Sequence, residues 1–259
     1  MQTHKPHSLV VLIALTGIIA CSHNGAPKSG DAGSPVDYAA IVAAPDRTQE
    51  DQALDAGRHP ADVLAFSKAH PGMHVAELAV GRGYLTELLA RTVRPNGVVY
   101  AQNPDQFLKF TGEEWAARLQ RPQMGNVVRV DRTLESPFPP EAKNLDLVIA
   151  SLVYHDFVWM DADRNAMNKA VFDALKPGGS YVVLDHSAAR GRGATDAQTL
   201  HRIDESTVVS EIESVGFKLV DQGDFLRNAS DARDWNTSPR AAGERRGTSD
   251  RFALRFVKP

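Results

Sequence analysis

The run LDLVIASL, from Leu145 to Leu152, is apolar at almost every position, and it restricts the fold more than any other stretch of the chain. A strand with one face in water alternates apolar and polar residues. A continuous apolar strand is buried on both faces, which requires a parallel sheet held between two layers of helices. The rest of the chain supplies the partners such a strand needs. Further strands are predicted from about His74 to Ala79, Gly97 to Ala101, Asn126 to Val130 and Tyr181 to Leu184. Helical spacing separates them: Arg47 to His70, the turn after Ala79 to about Val93, TGEEWAARLQ, Asn165 to Leu175, and about Glu205 to Val215. Thr111 with Glu114 reads as a capping box at the start of TGEEWAARLQ, and Lys176-Pro177-Gly178-Gly179 as a helix stop. Phe217 to Val220 and RFALRFVKP are extended runs separated by a long polar loop, as in a terminal antiparallel hairpin. The expected fold class is α/β, a doubly wound, mostly parallel sheet with a C-terminal antiparallel hairpin.

In such a sheet ligands sit at the carboxyl ends of the strands, where helix N-termini turn free N–H groups outward. The first strand-to-helix turn is therefore the place to look. HVAELAVGRGYLTELLA, His74 to Ala90, carries Gly81 and Gly83 in that turn and Glu77 just before it. Thr86 stands where a dinucleotide loop has its third glycine, which disfavours a nicotinamide cofactor and an oxidoreductase reading. Polar residues with catalytic chemistry gather after the later strands: Tyr154, His155 and Asp156 after the fourth, Asp185 and His186 at the end of the fifth, then His201, Arg202 and Asp204. His155, Asp156, His186 and His201 are the candidate catalytic residues, since imidazole titrates near neutrality. The competing reading is that these side chains only hold loops together. His155, Asp185, His186, His201 and Asp204 show no compact ligand spacing, so no metal is expected. On the first helix Arg47, Asp51, Asp55 and Arg58 share a face as a plus, minus, minus, plus stripe, either self-paired in solvent or a lid over a polar pocket.

Taken in order, PGMHVAELAVGRGYLTELLA, GVVYAQNP, LDLVIASLVYHD, ALKPGGSYVVLDH and DRFALRFVKP resemble the class I S-adenosylmethionine-dependent methyltransferases, and within them a bacterial group of predicted methyltransferases. The resemblance runs from about Arg47 to Pro259. It implies a Rossmann-like methyltransferase fold, S-adenosylmethionine as cofactor and methyl transfer to a small-molecule acceptor. By the same resemblance Glu77 organises the loop and the methionine amino end, while Gly81 and Gly83 face the carboxypropyl and ribose region. Asn103 takes the ribose position usually held by an acidic residue, and Asp131 approaches the adenine amino group. Ala79, where the family has its first glycine, together with Tyr84 and Ser151 completes the implied cofactor-binding set. The alternative is a non-catalytic module of the same fold that holds a small ligand.

The N-terminus frames this domain. An apolar run from Leu9 to Ala20 follows His4, Lys5 and His7 and is too short for a membrane span, so residues 1–20 read as a signal peptide. Ile18-Ile19-Ala20-Cys21 resembles a bacterial lipobox, which makes Cys21, the single cysteine, a lipidation site and places the chain at the cell envelope on the periplasmic side. Residues 21–45 are expected to form a flexible tether and 46–259 the folded domain, with the lipid anchor as its one membrane contact. A net charge of −3 argues against a general nucleic-acid partner.

Overall fold

The computed structural model describes residues 1–3 and 35–259, and one folded unit spans Val36–Pro259. The proposed signal peptide, Cys21 and most of the expected tether lie outside the described residues. Among the described residues three helices come first: α1 (Tyr38–Val42), α2 (Gln49–Arg58) and α3 (Pro60–Ser67). Strands and helices then alternate through β1 (His74–Leu78), α4 (Tyr84–Val93), β2 (Val98–Asn103), α5 (Asp105–Leu119), β3 (Val127–Asp131) and β4 (Leu145–Ser151). They continue with α6 (Asp156–Trp159), α7 (Arg164–Ala174), β5 (Leu175–His186), α8 (Ala197–Leu200), α9 (Glu205–Ser214), β6 (Lys218–Gly223) and β7 (Arg251–Val257).

The strands form one seven-stranded sheet in the order β3-β2-β1-β4-β5-β7-β6. β1 to β5 are parallel, and β7 runs antiparallel to both β5 and β6. The apolar run of β4 is explained by its position: Leu147 and Ile149 pack with Leu85, Leu88 and Leu89 of α4 on one face, while Val148 and Ala150 join Val171 of α7 and Ile212 of α9 on the other. Burying each of the larger side chains is worth roughly 1.5–3 kcal/mol, so both faces contribute to holding the strand. The strand order reverses between β1 and β4, and a crevice opens there at the carboxyl ends of the strands.

Several local expectations change. α1 lies inside the segment read as tether: the Asp37 carboxylate accepts from the Ala40 N–H, and the Tyr38 hydroxyl donates to the Ala69 carbonyl at 2.7 Å. The single helix expected from Arg47 to His70 is divided at His59, whose φ of 48° is left-handed, because Pro60 cannot continue a hydrogen-bonded helix and crowds the residue before it. The capping box of Thr111 and Glu114 does not form. α5 already begins at Asp105, and Thr111 sits in its interior, donating its hydroxyl to the Phe107 carbonyl at 2.9 Å. β5 is also longer than expected, since Lys258 and Gly178–Gly179 exchange backbone hydrogen bonds that extend the ladder.

Candidate functional site

The turn after β1 is left-handed at Ala79, Gly81 and Gly83, with φ of 48°, 57° and 78°. Two side chains from the end of β2 hold it. Gln102 accepts the Ala79 N–H at 3.0 Å, and Asn103 accepts the Gly81 N–H at 2.9 Å while donating its amide to the Gly81 carbonyl at 3.0 Å. Ala79 thus occupies a conformation that costs a non-glycine residue about 1–2 kcal/mol, which is the physical reason glycine suits this position. The two glycines then differ. A Cβ on Gly81 would meet open space, whereas one on Gly83 would fall 2.4 Å from Trp115 Cζ3 and 3.1 Å from Arg118 Cδ. The Cβ direction of Gly83 therefore points at α5, where only a glycine fits.

Asn103 is fully buried, and both ends of its amide are engaged by the Gly81 turn, so in this structure it fixes the loop. Asp131 stands next to it in register across β2 and β3, exposed and paired with Arg129 at 2.7 Å. Thr86, in the place of a third glycine, donates its hydroxyl to Glu77 at 2.6 Å. Burial pushes the Glu77 carboxyl up to about 8, against that hydrogen bond and the charges of Arg58 and Arg118.

The charged stripe of α2 is neither self-contained nor solvated. Arg47 grips Asp55 with two hydrogen bonds of 2.6 and 2.8 Å, and Asp55 also accepts from the Tyr84 hydroxyl. Asp51 reaches across to Arg118 of α5 in a bidentate pair of 2.7 and 2.8 Å, and Arg118 also binds Glu87 of α4 at 2.8 Å. Arg58 is left over the Tyr84 ring, 4.4 Å from its centroid, with no carboxylate within salt-bridge distance among the described residues. It lines a small cleft with Tyr84, Ser151, Leu152, Leu184 and Arg251. Arg251 likewise lacks a carboxylate partner there, and burial beside Arg58 lowers it to about 10. Sequence reasoning missed this pair, because Arg58 looked like half of a salt bridge and Arg251 like the first residue of an apolar strand.

The histidines meet on the other side of Ser151. Asp185, fully buried at the end of β5, accepts the His155 N–H and its Nδ1–H, both at 2.7 Å, and the His186 N–H at 2.7 Å. His155 Nε2 then lies 3.1 Å from Asp156 Oδ1 and 3.3 Å from His201 Nδ1. Burial alone would lower His155, but Asp185 and Asp156 outweigh it and raise the imidazole to about 10; Asp156 is held well below the usual carboxylate range by the same pairing, against its own burial. His186 stands apart. Its ring is 5.7 Å from that of His155, its Nδ1 meets Ser249 Oγ at 2.7 Å, and burial followed by the His155 charge keeps it well below its ordinary value. Of the four candidate catalytic residues, His155, Asp156 and His201 form one cluster, and three ligand atoms of that cluster lie within 4.8 Å of one another. The expectation of no metal shell rested on spacing along the chain, which does not register this convergence.

No family model matches the chain. The ubiquinone/menaquinone biosynthesis C-methyltransferase UbiE of Shewanella sp. (strain ANA-3) is 34% identical over 126 residues, and the match spans 48% of this chain and 47% of that protein. The chain thus spans about half the length of the curated relative. A SAM dependent methyltransferase from Aquifex aeolicus superposes with a TM-score of 0.58, covering 87% of this chain and 100% of that one at 14% identity. The fold is the Rossmann-like methyltransferase fold. The glycopeptide N-methyltransferase MtfA, solved with S-adenosyl-L-methionine, shares it with a TM-score of 0.53 over 78% of this chain and 94% of its own, at 18% identity. Within this methyltransferase fold, the Gly81 turn, the arginine cleft and the histidine cluster all lie where β1, β4 and β5 end.

Proposed function

We infer that the chain binds S-adenosylmethionine and transfers its methyl group to a small-molecule acceptor. The observation that carries this reading is the open face of the Gly81 turn at the point where strand order reverses, with the histidine cluster beyond the neighbouring strand end. The turn gives backbone access to the cofactor. Glu77 offers a carboxyl to its ammonium group, Arg58 and Arg251 offer two cations to its carboxylate, and Asp131 lies toward the adenine end. Methyl transfer is an in-line displacement: the acceptor's lone pair bonds to the methyl carbon as the carbon–sulfur bond breaks, and S-adenosylhomocysteine leaves. The protein's contribution is alignment. Asp185 fixes the His155 ring, and the cluster presents the polar wall against which the acceptor's reacting group lies. The likeness to UbiE makes quinol-type aromatic acceptors the first class to test.

Calorimetric titration with S-adenosylhomocysteine tests the reading. Micromolar or tighter binding that is lost in Gly81→Val is expected, and an absence of detectable binding overturns it. A second reading, ligand binding without turnover, is favoured by Asn103, which closes on Gly81 and offers the cofactor no free side chain from β2. It is distinguished by following S-adenosylmethionine with quinol, phenol and amine acceptors: a protein that binds the cofactor yet yields no S-adenosylhomocysteine with any of them fits this second reading. Envelope attachment is a separate proposal. It is tested by labelling with a fatty-acid analogue, with incorporation expected in the natural chain and not in Cys21→Ser.

A further inference from the structure

The three atoms His155 Nε2, Asp156 Oδ1 and His201 Nδ1 form a triangle with edges of 3.1, 3.3 and 3.3 Å. Nitrogen and oxygen ligands of a first-row divalent ion sit roughly 2.0–2.2 Å from it, so neighbouring ligands in tetrahedral geometry are about 3.3 Å apart. An ion equidistant from these three atoms stands roughly 1 Å out of their plane, with its opposite side free for further ligands.

Two of the three groups are also held from behind by hydrogen bonds. His155 donates Nδ1–H to the buried Asp185, which turns Nε2 toward Asp156 and His201, where a metal ion takes the place of the Nε2 proton. Asp156 Oδ1 receives the Trp159 indole N–H at 2.7 Å. Metal ligands are characteristically oriented in this way, imidazole by a carboxylate and carboxylate by a donor behind it. His201 holds a left-handed backbone, φ 51° and ψ 53°, and its carbonyl accepts the Thr237 hydroxyl at 2.7 Å. Such a conformation is costly for histidine and persists where the surrounding structure enforces it. Its effect is to bring Nδ1 to the other two atoms from 46 residues along the chain.

We propose that His155, Asp156 and His201 bind a divalent transition-metal ion. Two imidazoles and one carboxylate suit zinc, ferrous iron, cobalt or nickel; magnesium and calcium favour all-oxygen sites. His201 is about a quarter exposed, so the cluster has one side open to solvent for further ligands. Metal binding here stands whether or not the chain transfers a methyl group.

The test is titration of the full-length, tag-free protein, stripped with a chelator, with zinc chloride by calorimetry and with cobalt(II) by visible absorption. One ion per chain at micromolar or tighter affinity is expected. His201→Asn keeps a residue that tolerates the left-handed backbone and removes the imidazole, and it should weaken binding at least about 100-fold. Asp156→Ala should act similarly, and Asp185→Asn, behind His155, should cost about 10- to 100-fold. Circular dichroism checks each variant's fold, and the partly exposed His201 supplies the deciding variant if a buried one fails to fold. No binding of either ion overturns the proposal. So does binding unchanged in His201→Asn, which would belong to His4, His7, Cys21 and His23 near the N-terminus.

Discussion

The Asn103 side chain clasps Gly81, taking its N–H at Oδ1 and returning an N–H to its carbonyl, with distances of 2.9 and 3.0 Å. An amide can do both; a carboxylate can only accept. Replacing this amide by a carboxylate in Asn103→Asp should therefore weaken the protein. It removes one hydrogen bond and sets a charge against a buried carbonyl, an expected loss of about 1–3 kcal/mol in urea denaturation. Affinity for S-adenosylhomocysteine should not improve. A tighter complex in Asn103→Asp would show that this side chain reaches the ribose after all.

The two glycines of the turn should respond unequally to alanine. Gly81→Ala meets no neighbouring atom and carries only the left-handed backbone penalty, about 1–2 kcal/mol. Gly83→Ala adds a collision with Trp115, for which overpacking typically costs a further ~1–3 kcal/mol. Equal unfolding midpoints for the two variants would contradict the assignment of Gly83 to packing.

Glu77 gives a pH dependence of definite sign. Its folded-state pKa of about 8 lies above the unfolded value of about 4.5, so the folded protein binds this proton more tightly. Its contribution to stability is fully present below about 4.5 and declines as pH rises to about 8. Glu77→Gln, which still accepts from Thr86, should match the natural protein near the low end of that window and exceed it in stability at the high end. If the cofactor's ammonium group docks here, calorimetry in buffers of different ionisation enthalpy should report proton release on binding within the same window.

Arg118 joins α2, α4 and α5 through Asp51 and Glu87, both buried. Arg118→Met fills comparable space but leaves the buried Asp51 without its bidentate cation, while Glu87 keeps Arg91 at 2.8 Å. Removing one member of a buried ion group costs about 3–5 kcal/mol, and a loss of that order is expected at neutral pH. A loss within the error of the denaturation curve would mean that Arg121, 3.0 Å from Glu87, substitutes for it.

The sheet was legible in the sequence because burial on both faces leaves a one-dimensional record: the apolar run of β4 and the RFALRFVKP strand stand out without knowledge of their neighbours. The placement of Glu77, the Gly81 turn and Ser151 at strand ends was legible for the same reason. What was not legible depends on which element packs on which. Trp115 is 32 residues from Gly83, and nothing local marks it as the reason that glycine is there. Arg58 shares a helix face with Asp55, yet Arg47 takes that carboxylate. Asp156 and His155 were adjacent and visible as a pair, but His201 joins them through a backbone conformation that no pattern of residue types announces.

Trp115 also makes the loop observable. The chain has three tryptophans, and their surroundings separate them optically. Trp159 is exposed, and Trp235 lies between the guanidinium groups of Arg202 and Arg245. Trp115 alone is fully buried, with an indole N–H that has no acceptor among the described residues and a ring edge against the glycine turn. Its emission should lie at the blue end of the spectrum and shift whenever the turn moves, an intrinsic fluorescent reporter of ligand arrival that needs no label and no knowledge of the acceptor.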